Sequence, residues 1–308
     1  MNNLSYVTIA VALACCACSQ QRDTQAEELA PLAEHVIFIG IDGWGAYSVD
    51  KAEIPVIKDL MQRGAYTVHK RSEMPSSSAP NWASIFMGSN VELHGYTQWG
   101  SKTPEIPSRV IAKNNIYPTI FQITRDQRPD AEMGVIADWD GINYLVDSLS
   151  CNYMVNSLGY PDTASVAADL AVQYIIDKKP TLMALVFDHL DHVGHADGHD
   201  TPEYYAALNQ IDTEVGKVVQ AAKDAGIYDD CVFIVTADHG GVGKGHGGID
   251  LLEMETPFVI AGKSIANVGE FSESMLQPDI APTIARILNV TPPQVWSGRP
   301  LGFVLEAE

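Results

Sequence analysis

The chain has 308 residues, 46% of them hydrophobic and 19% charged, a composition that fits one large globular domain or two small ones and excludes a disordered or coiled-coil protein. Acidic residues outnumber lysine and arginine by 39 to 19, and the resulting net charge of -20 disfavours general binding to nucleic acids. A mean hydropathy of -0.01 excludes a polytopic membrane protein.

The first predicted element is the uncharged apolar run Tyr6–Cys18, which is too short for a relaxed transmembrane helix but typical of the core of a signal peptide. Small residues and cysteines end the run, as in bacterial lipoprotein signals, although no lysine or arginine precedes it. Two positions suit lipidation, Cys16 and Cys18. The alternative is a signal that is cleaved without lipidation. In either case the sequence predicts export, to the periplasm or to the outer membrane of a bacterium, where an N-terminal lipid would tether the chain.

The domain organisation predicted from this pattern is simple. Residues 1–18 are expected to be the signal peptide, residues 19–33 a polar spacer and residues 34–308 a single domain. Outside the signal segment only Cys151 and Cys231 remain, too few for a disulfide framework, and a single bridge and two buried free thiols both stay open.

After the spacer, short apolar runs alternate with stretches of helical spacing. Continuous apolar runs, typical of strands buried on both faces, occupy His35–Ile41, Thr181–Phe187 and Cys231–Thr236. Two shorter strands are predicted at Ala65–His69 and Met133–Ala137. Helices are predicted at Ile54–Arg63, at Thr163–Asp177, within Thr201–Ala225 and at Gln277–Leu288. Lys102–Asp130 is expected to be an irregular surface excursion. This alternation predicts an α/β domain with a mostly parallel sheet.

Possible metal ligands follow three of the buried strands. Asp42 ends the first, the segment that contains Asp191 and His195 follows the second, and Asp238-His239 ends the third. In open α/β sheets, ligands bind beyond the carboxyl ends of the strands. A single aspartate at such a place is often only a helix cap, but the whole set indicates a metal site.

A fourth cluster lies in the glycine-rich loop Lys244–Gly248, which carries His246. Carboxylates and imidazoles without thiolates favour zinc or another divalent ion in a catalytic site. Six such ligands are enough for two ions, which can clamp the oxygens of a phosphoryl displacement. The sequence therefore predicts a two-metal hydrolase, in which the ions supply the local positive charge that an anionic substrate needs.

A candidate nucleophile, Ser78, lies in the segment Ser76–Gly88. A run of serines before a proline is ordinarily a turn or helix-cap signal. A hydroxyl at a helix N-terminus beside a metal would, however, have a lowered pKa, and the free N–H groups there suit a bound phosphate.

The ordered motifs IGIDG, SSAPNWASIFMG, ELHGY, FDHLDHVGHADG, TADHGG, GKGHGG and DIAPTIARILNV resemble those of the alkaline phosphatase superfamily. Within it, the chain is most similar to the nucleotide pyrophosphatase/phosphodiesterase (type I phosphodiesterase) family. The similarity runs from about His35 to Leu301, nearly the whole predicted domain. It implies an alkaline-phosphatase-like three-layer αβα sandwich with a mostly parallel central sheet.

The resemblance also implies a mechanism and a set of site residues. Ser78 would be the nucleophile of two successive in-line displacements through a phosphoserine intermediate, and Asn81 would donate to a phosphate oxygen. Two Zn2+ ions are implied, with manganese and iron as alternatives, and the substrate would be a small phosphodiester or a nucleotide. The implied ligands are Asp42, Ser78, Asp238 and His239 at site 1 and Asp191, His195 and His246 at site 2.

Differences between this sequence and the motifs of other enzymes in the superfamily reduce the number of possible activities. Sulfatases require an arginine at the position of Trp82, which counts strongly against that activity. Phosphomonoesterases usually place an arginine near the nucleophile, whereas here none follows Ser78 until Arg109. Cofactor-independent phosphoglycerate mutases carry a large inserted domain, for which this chain lacks the length. The alternatives that stay open are a broad-specificity phosphomonoesterase or phosphonate hydrolase and, more remotely, an inactive surface lipoprotein that only binds a ligand.

The substrate pocket is the least defined part of the sequence prediction. Trp139 and Tyr144 are candidates to stack on a nucleobase or simply to pack in the core. Lys244 is a candidate to contact phosphate or to face solvent. Asp188 is expected outside the metal shell or at the surface, and His199 is the best spare ligand.

Overall fold

The computed structural model describes residues 30–156 and 163–306. The predicted signal peptide at 1–18 and all but the end of the predicted spacer lie outside the described residues, so their assignment stays a prediction. Among the helices that the structure describes, none is long and apolar enough to cross a membrane.

Parallel pairing dominates the central sheet. Within the described residues the strands are β1 (His35–Ile41), β2 (Ala65–Arg71), β3 (Met133–Ala137), β4 (Tyr153–Val155), β5 (Leu182–Phe187), β6 (Cys231–Thr236), β7 (Glu255–Gly262) and β8 (Gly269–Glu270). They form one sheet in the order β4-β3-β5-β1-β6-β7-β2-β8. β1 lies at its centre and pairs in parallel with β5 and β6, whereas β7 runs antiparallel between β6 and β2.

Helices cover both faces of this sheet. Those in the described residues are α1 (Pro55–Arg63), α2 (Ser78–Met87), α3 (Val91–His94), α4 (Ile120–Gln127), α5 (Thr163–Lys178), α6 (His189–Asp197), α7 (Pro202–Asp224), α8 (Leu251–Met254) and α9 (Ile280–Ile287). The buried residues of α2, α4 and α9 pack on one face, and those of α1 and α7 on the other. Along β1, Phe38 points to the first face, and Ile37 and Ile39 point to the second. The result is the three-layer αβα sandwich that the resemblance implied.

The sequence predicted the parallel strands best. β1, β3 and β6 have the predicted bounds, because each is a continuous apolar run buried on both faces. The strand β7 was missed, although its residues TPFVIA form a similar run.

The prediction of an irregular excursion over Lys102–Asp130 is wrong in its second half. This part contains the helix α4, whose N-terminus is capped by Thr119 Oγ1 accepting from the N–H of Gln122 (3.2 Å). Phe121 anchors α4 in the core. The helix is short, so its apolar spacing covers barely two turns and was hard to recognise.

The two cysteines outside the signal segment are both free thiols. Cys231 is buried in β6, and Cys151 is half-buried before β4. Of the two alternatives left open by the sequence, the structure has the unbridged one.

Candidate active site

A row of aspartates lies along one edge of the sheet, at the carboxyl ends of its parallel strands. Ile41 of β1 pairs with Phe187 of β5, and the N–H of Asp42 continues the ladder to the Phe187 carbonyl (2.8 Å). Across the sheet, the aspartates that follow β3, β5, β1 and β6 are Asp138, Asp188, Asp42 and Asp238. Since parallel strands all end at the same edge, the strand order brings these carboxylates together.

The first group of candidate ligands is Asp42, Asp238 and His239, and all three side chains are wholly buried. His239 Nε2 lies 3.3 Å from Asp42 Oδ1 and 3.3 Å from Asp238 Oδ2. Among the described residues, neither of these two carboxylate oxygens has a hydrogen-bond partner. Burial and the neighbouring carboxylates raise the pKa of Asp42 and of Asp238 well above their usual range, and burial lowers the pKa of His239 to about 3. A buried set of unsatisfied oxygens like this calls for a cation.

The second group is Asp191, His195 and His246. Asp191 and His195 are four residues apart on α6, and therefore share one face of that helix. Asp191 Oδ2 lies 3.1 Å from His195 Nε2 and 3.8 Å from His246 Nε2, and the two imidazole Nε2 atoms are 3.1 Å apart. The two groups adjoin, because the rings of His239 and His246 stack with their centroids 3.8 Å apart.

Each of the three histidines is oriented by a backbone carbonyl. The Nδ1 atoms of His195, His239 and His246 lie 2.9, 2.8 and 3.1 Å from the carbonyl oxygens of Lys244, Gly240 and Ser76. A carbonyl oxygen only accepts hydrogen bonds, so each neutral ring carries its proton on Nδ1 and directs the Nε2 lone pair into the site. This second contact is the usual way in which proteins orient metal-binding histidines.

The carboxylates of the first group are oriented as well, each through one oxygen. The indole N–H of Trp82 donates to Asp42 Oδ2 (2.9 Å), and the N–H of Gly43 donates to Asp238 Oδ1 (3.3 Å). The other oxygen of each carboxylate is left free to bind an ion. Sequence reasoning used Trp82 only to argue against a sulfatase and missed this role.

A buried polar network supports the turn that carries Asp238. The ammonium group of Lys70 is wholly buried and donates to the carbonyl oxygen of Ala237 (2.8 Å) and to the side chain of Gln277. Ser72 Oγ donates to the carbonyl oxygen of Asp238 (2.8 Å). Burial lowers the pKa of Lys70 well below its usual range. No sequence pattern distinguished these residues, because each lies in or next to a strand or helix whose sequence is ordinary.

Ser78 lies at the first position of α2, where the helix dipole favours negative charge. Its hydroxyl is buried with 7% exposure and lies 3.2 Å from His239 Nε2. Because the Nδ1 of His239 carries that ring's proton, the Ser78 hydroxyl donates to Nε2. The predicted nucleophile therefore lies in direct contact with the first group of ligands.

The side chain of Asn81 makes different contacts from those expected of a phosphate donor. Its amide nitrogen donates to the carbonyl oxygens of Pro75 (3.0 Å) and Ser77 (2.9 Å), and its Oδ1 accepts from the N–H of Glu73 (2.7 Å). Both amide hydrogens are thus committed, and the side chain is wholly buried. Asn81 thus holds the turn before Ser78, and a contact of its amide with a phosphate oxygen stays a prediction.

A cavity of about 510 Å³ opens beside the two groups. It is lined by Ser77, Ser78, Trp99, Trp139, Asp188, Asp191, His192, His195, Gly245 and His246. None of these lining residues is a lysine or arginine. Trp99, which the sequence analysis did not single out, is 67% exposed.

The predicted pocket residues divide. Trp139 lines the cavity, but Tyr144 and Lys244 do not. The Lys244 ammonium donates to the carbonyl oxygen of Ala196 (2.6 Å), and the ring of Tyr144 lies under the ammonium of Lys102, 5.2 Å from its centroid.

Asp188 lies closer to the candidate metal ligands than the sequence analysis expected. One carboxylate oxygen each from Asp42, Asp188 and Asp191 lie within 4.8 Å of one another. The N–H of Asp188 donates to Asp138 Oδ1 (2.5 Å), and nearby carboxylates add to burial in raising the pKa of Asp188. The signal in the sequence was its place directly after a buried strand, the same signal that identified Asp42.

Comparison with protein families gives a match over residues 36–244, well over half of the chain, to the model described as type I phosphodiesterase / nucleotide pyrophosphatase. This range holds Ser78 and every predicted metal ligand except His246. The chain is 22% identical over 219 residues to the mouse (Mus musculus) bis(5'-adenosyl)-triphosphatase enpp4, an alignment that covers 68% of this chain and 47% of the relative. The chain spans no more than about half the length of the curated relatives it matches.

Solved structures share the fold. Murine ectonucleotide pyrophosphatase / phosphodiesterase 5, in an inactive form in complex with AMP, superposes with a TM-score of 0.69 at 15% identity, covering 88% of this chain and 98% of that one. A 2-O GAG sulfatase superposes with a TM-score of 0.70 at 14% identity, covering 90% and 75%. The fold is therefore alkaline-phosphatase-like and common to enzymes that cleave different esters.

Proposed function

The chain belongs to the type I phosphodiesterase / nucleotide pyrophosphatase family, and from that premise we propose that it is a two-metal hydrolase of phosphodiester or pyrophosphate bonds. The observation that carries the proposal is the position of Ser78, whose Oγ lies 3.2 Å from His239 Nε2, at the N-terminus of α2. A hydroxyl held beside two groups of unsatisfied metal-type donors is suited to attack phosphorus.

The donors fit two divalent ions. We assign Asp42, Ser78, Asp238 and His239 to one ion, and Asp191, His195 and His246 to the other. The fit rests on the unpartnered buried oxygens of Asp42 and Asp238 and on the three imidazole Nε2 atoms directed into the site. This donor chemistry favours zinc, with manganese and iron as alternatives. When bound, two such ions supply the positive charge that lowers the pKa of an attacking oxygen and stabilises a leaving one.

The proposed reaction has two displacements at the same phosphorus. The Ser78 hydroxyl loses its proton to solvent as its Oγ attacks in line with the leaving oxygen. The bond from phosphorus to that oxygen breaks with both electrons on the departing alcohol or phosphate, and a departing alcohol takes up a proton from solvent. In the second step, a water loses one proton as its oxygen attacks the phosphoserine, and the bond from phosphorus to Ser78 breaks with both electrons on Oγ, which takes up a proton to restore the hydroxyl. The dipole of α2 points its positive end at this phosphorus and stabilises the charge on the non-bridging oxygens.

Charge favours a diester over a monoester. A phosphomonoester carries a second negative charge, and the residues that line the cavity include no lysine or arginine to meet it. Asp188, which also lines the cavity and is not assigned to either ion, adds a negative charge that would repel it. A diester, with a single negative charge, suits this cavity better.

The aromatic walls favour a nucleotide. Trp99 and Trp139 both line the cavity, and indole rings are suited to stack on a planar group. A protein of the same fold, the inactive form of murine ectonucleotide pyrophosphatase / phosphodiesterase 5, has been solved with AMP bound. The proposed substrates are therefore nucleotide diesters or pyrophosphates, in which a nucleobase stacks on Trp99 or Trp139.

Three chromogenic esters test this function on the zinc-loaded protein. They are p-nitrophenyl phosphate, bis(p-nitrophenyl) phosphate and the p-nitrophenyl ester of thymidine 5'-monophosphate. The expected result is a preference for the two diesters, highest for the thymidine ester, that is lost on chelation and in Ser78→Ala. Preference for the monoester would instead establish a phosphatase. Absence of turnover by a protein that holds two zinc ions would support a binding role and end the diesterase proposal.

The proposed compartment is outside the cytoplasm, with residues 1–18 as the signal and Cys16 or Cys18 as the lipidated residue. The support is the length and composition of the run Tyr6–Cys18. Expression of the full chain in a bacterium, followed by fractionation, tests it. A lipoprotein would stay with membranes and move to the soluble periplasm when both cysteines are replaced by serine, whereas an uncleaved cytoplasmic product would contradict export.

A further inference from the structure

His199, the spare ligand of the sequence analysis, is a buried histidine beside the second group of ligands. Its exposure is 5%, and its ring is held between two glycines, Gly194 of α6 and Gly241. A Cβ at Gly194 would lie 2.5 Å from His199 Nε2, and one at Gly241 would lie 2.3 Å from the same atom. The absence of side chains at these two positions creates the space that the ring occupies.

Both ring nitrogens of His199 lack hydrogen-bond partners among the described residues. The atom that faces Nε2 is Asp191 Oδ1, 3.9 Å away, and this oxygen is also buried without a partner. The other oxygen of the same carboxylate, Oδ2, faces His195 and His246. The carboxylate of Asp191 thus presents one oxygen to the metal-binding group and the other to His199.

An unsatisfied buried donor and an unsatisfied buried acceptor are each unfavourable, and here they face each other at 3.9 Å, about one ångström more than a hydrogen-bond distance. A small rotation of either side chain closes this gap. The main chain of His199 is already fixed, because its N–H donates to the carbonyl oxygen of Gly243 (2.7 Å). A neutral imidazole has one N–H to donate.

We propose that His199 is a positioning residue for the second metal group: in the metal-loaded protein its Nε2–H donates to Asp191 Oδ1 and holds Oδ2 toward His195 and His246. The same contact links α6 to the glycine-rich loop, since the N–H of His199 donates to the carbonyl oxygen of Gly243, the residue directly before that loop. This inference rests on the two-metal function proposed above.

The test measures metal retention. Zinc is released from the fully loaded protein into excess chelator and followed by the absorbance of a zinc-binding dye. Two phases are expected, one for each ion. In His199→Phe, which keeps a planar ring but no donor, the faster phase accelerates by about 10–100-fold, the usual effect of removing such an outer contact, and the slower phase is unchanged. In His199→Gln, whose amide nitrogen reaches a similar place, most of the retention returns.

His94 provides the matched control. It is also a wholly buried histidine, but its ring contacts Ser84 Oγ (2.9 Å) and the N–H of Tyr96 (3.1 Å) instead of a metal ligand. His94→Phe is expected to lower the melting temperature and to leave both release phases as in the wild type. A purely structural role for His199 would give the same pattern.

The glycine cradle gives a second, independent variant. Gly194→Ala places a Cβ against the His199 ring and should accelerate the same release phase as His199→Phe. In the His199→Ala background the clash is gone, so Gly194→Ala should have no further effect on release. The proposal is overturned if His199→Phe retains zinc like the wild type, or if Gly194→Ala acts equally in both backgrounds. A wild-type protein that cannot hold two ions overturns both this inference and the proposed function.

Discussion

The two groups of candidate ligands are adjacent but built in different ways. Asp42 and Asp238 follow central strands of the sheet, and the whole first group has no exposure to solvent. In the second group, His195 is 47% exposed in its side chain, and His246 is carried by a loop. The first group is thus preformed by the sheet, whereas the second depends on how α6 and the loop are held.

Glycines in and directly before the loop Lys244–Gly248 turn the chain so that His246 reaches the site. Gly243 and Gly247 have φ angles of +58° and +103°, in the left-handed region that favours glycine. His246 then reaches the carbonyl oxygen of Ser76, next to the turn that leads into α2. The two groups therefore use the same types of ligand, but the first is held by the rigid sheet and the second by a helix and a loop that can adjust.

The largest expected effect is that of removing the nucleophile, which both groups serve. In Ser78→Ala, diester hydrolysis should fall on the order of 10⁴-fold or more, the scale at which loss of a nucleophile acts in a serine protease. Both ions should be retained at saturating zinc, because three of the four ligands of the first ion and all three of the second are unchanged. Steady-state kinetics and zinc content of the same preparation check this. Substantial residual turnover at full zinc occupancy would mean that water attacks directly, without a phosphoserine.

The next effect separates the two groups. Asp238→Ala and His246→Ala should each lower activity by more than about 100-fold at low zinc, since a direct ligand is worth at least as much as an outer contact. Added zinc should restore much of the activity of His246→Ala, because its group is partly open and keeps two ligands. It should not restore Asp238→Ala, where the change also disrupts a wholly buried cluster. Equal rescue of both variants would contradict the distinction between a preformed and an adjustable group.

The same distinction explains how much the sequence could predict. Asp42 and Asp238 were found because each ends an apolar run, a pattern that marks both a buried strand and the edge where ligands bind. Asp188 shows the same pattern, but the crowd of aspartates and histidines after β5 hid it. In this helical stretch, spacing in the chain does not say which side chain faces the site.

Contacts across the sheet were beyond sequence reasoning. The bond from Trp82 to Asp42 joins residues 40 positions apart, and the cradle of His199 requires Gly241 from another loop. Asn81 shows a related limit: the motif gave its residue type but not the contacts that its amide makes with the turn before Ser78. A motif identifies candidate residues, but the contacts that each side chain makes in the folded protein determine its role.

A smaller effect is expected at the open end of the cavity. The carbonyl oxygen of Trp99 accepts from the N–H of Ala79 (3.2 Å), so its main chain is tied to α2 beside the nucleophile while its indole stays free. Trp99→Ala should raise KM for the thymidine ester by an amount worth about 1–3 kcal/mol, the value of one stacked base, with little change for bis(p-nitrophenyl) phosphate. Leu149→Ala, at another strongly exposed residue outside the cavity lining, is the matched control. An equal loss for both esters would assign Trp99 to general packing.

The smallest effect tests the electrostatics of the two groups in the metal-free protein. The bond to Asp191 raises the pKa of His195 to about 9, whereas burial lowers the pKa of His239 to about 3. An imidazole in an unfolded chain titrates near 6.5. The His195 contribution to stability is therefore fully present below about pH 6.5 and is lost as the pH rises through about 9. The His239 contribution has the opposite sign, since stability falls as the pH drops from about 6.5 toward 3.

His195→Gln removes the pH-dependent contribution of His195 to stability and leaves that of His239. In the presence of chelator, the variant should melt below the wild type near pH 6 and together with it near pH 10. The difference should not exceed about 1 kcal/mol, because the His195 side chain is 47% exposed and solvent screens the pair. Melting temperatures measured by calorimetry over this range decide the matter. A deficit that is the same at both pH values would show that the glutamine disturbs packing, and that the second group, like the first, is held by shape more than by charge.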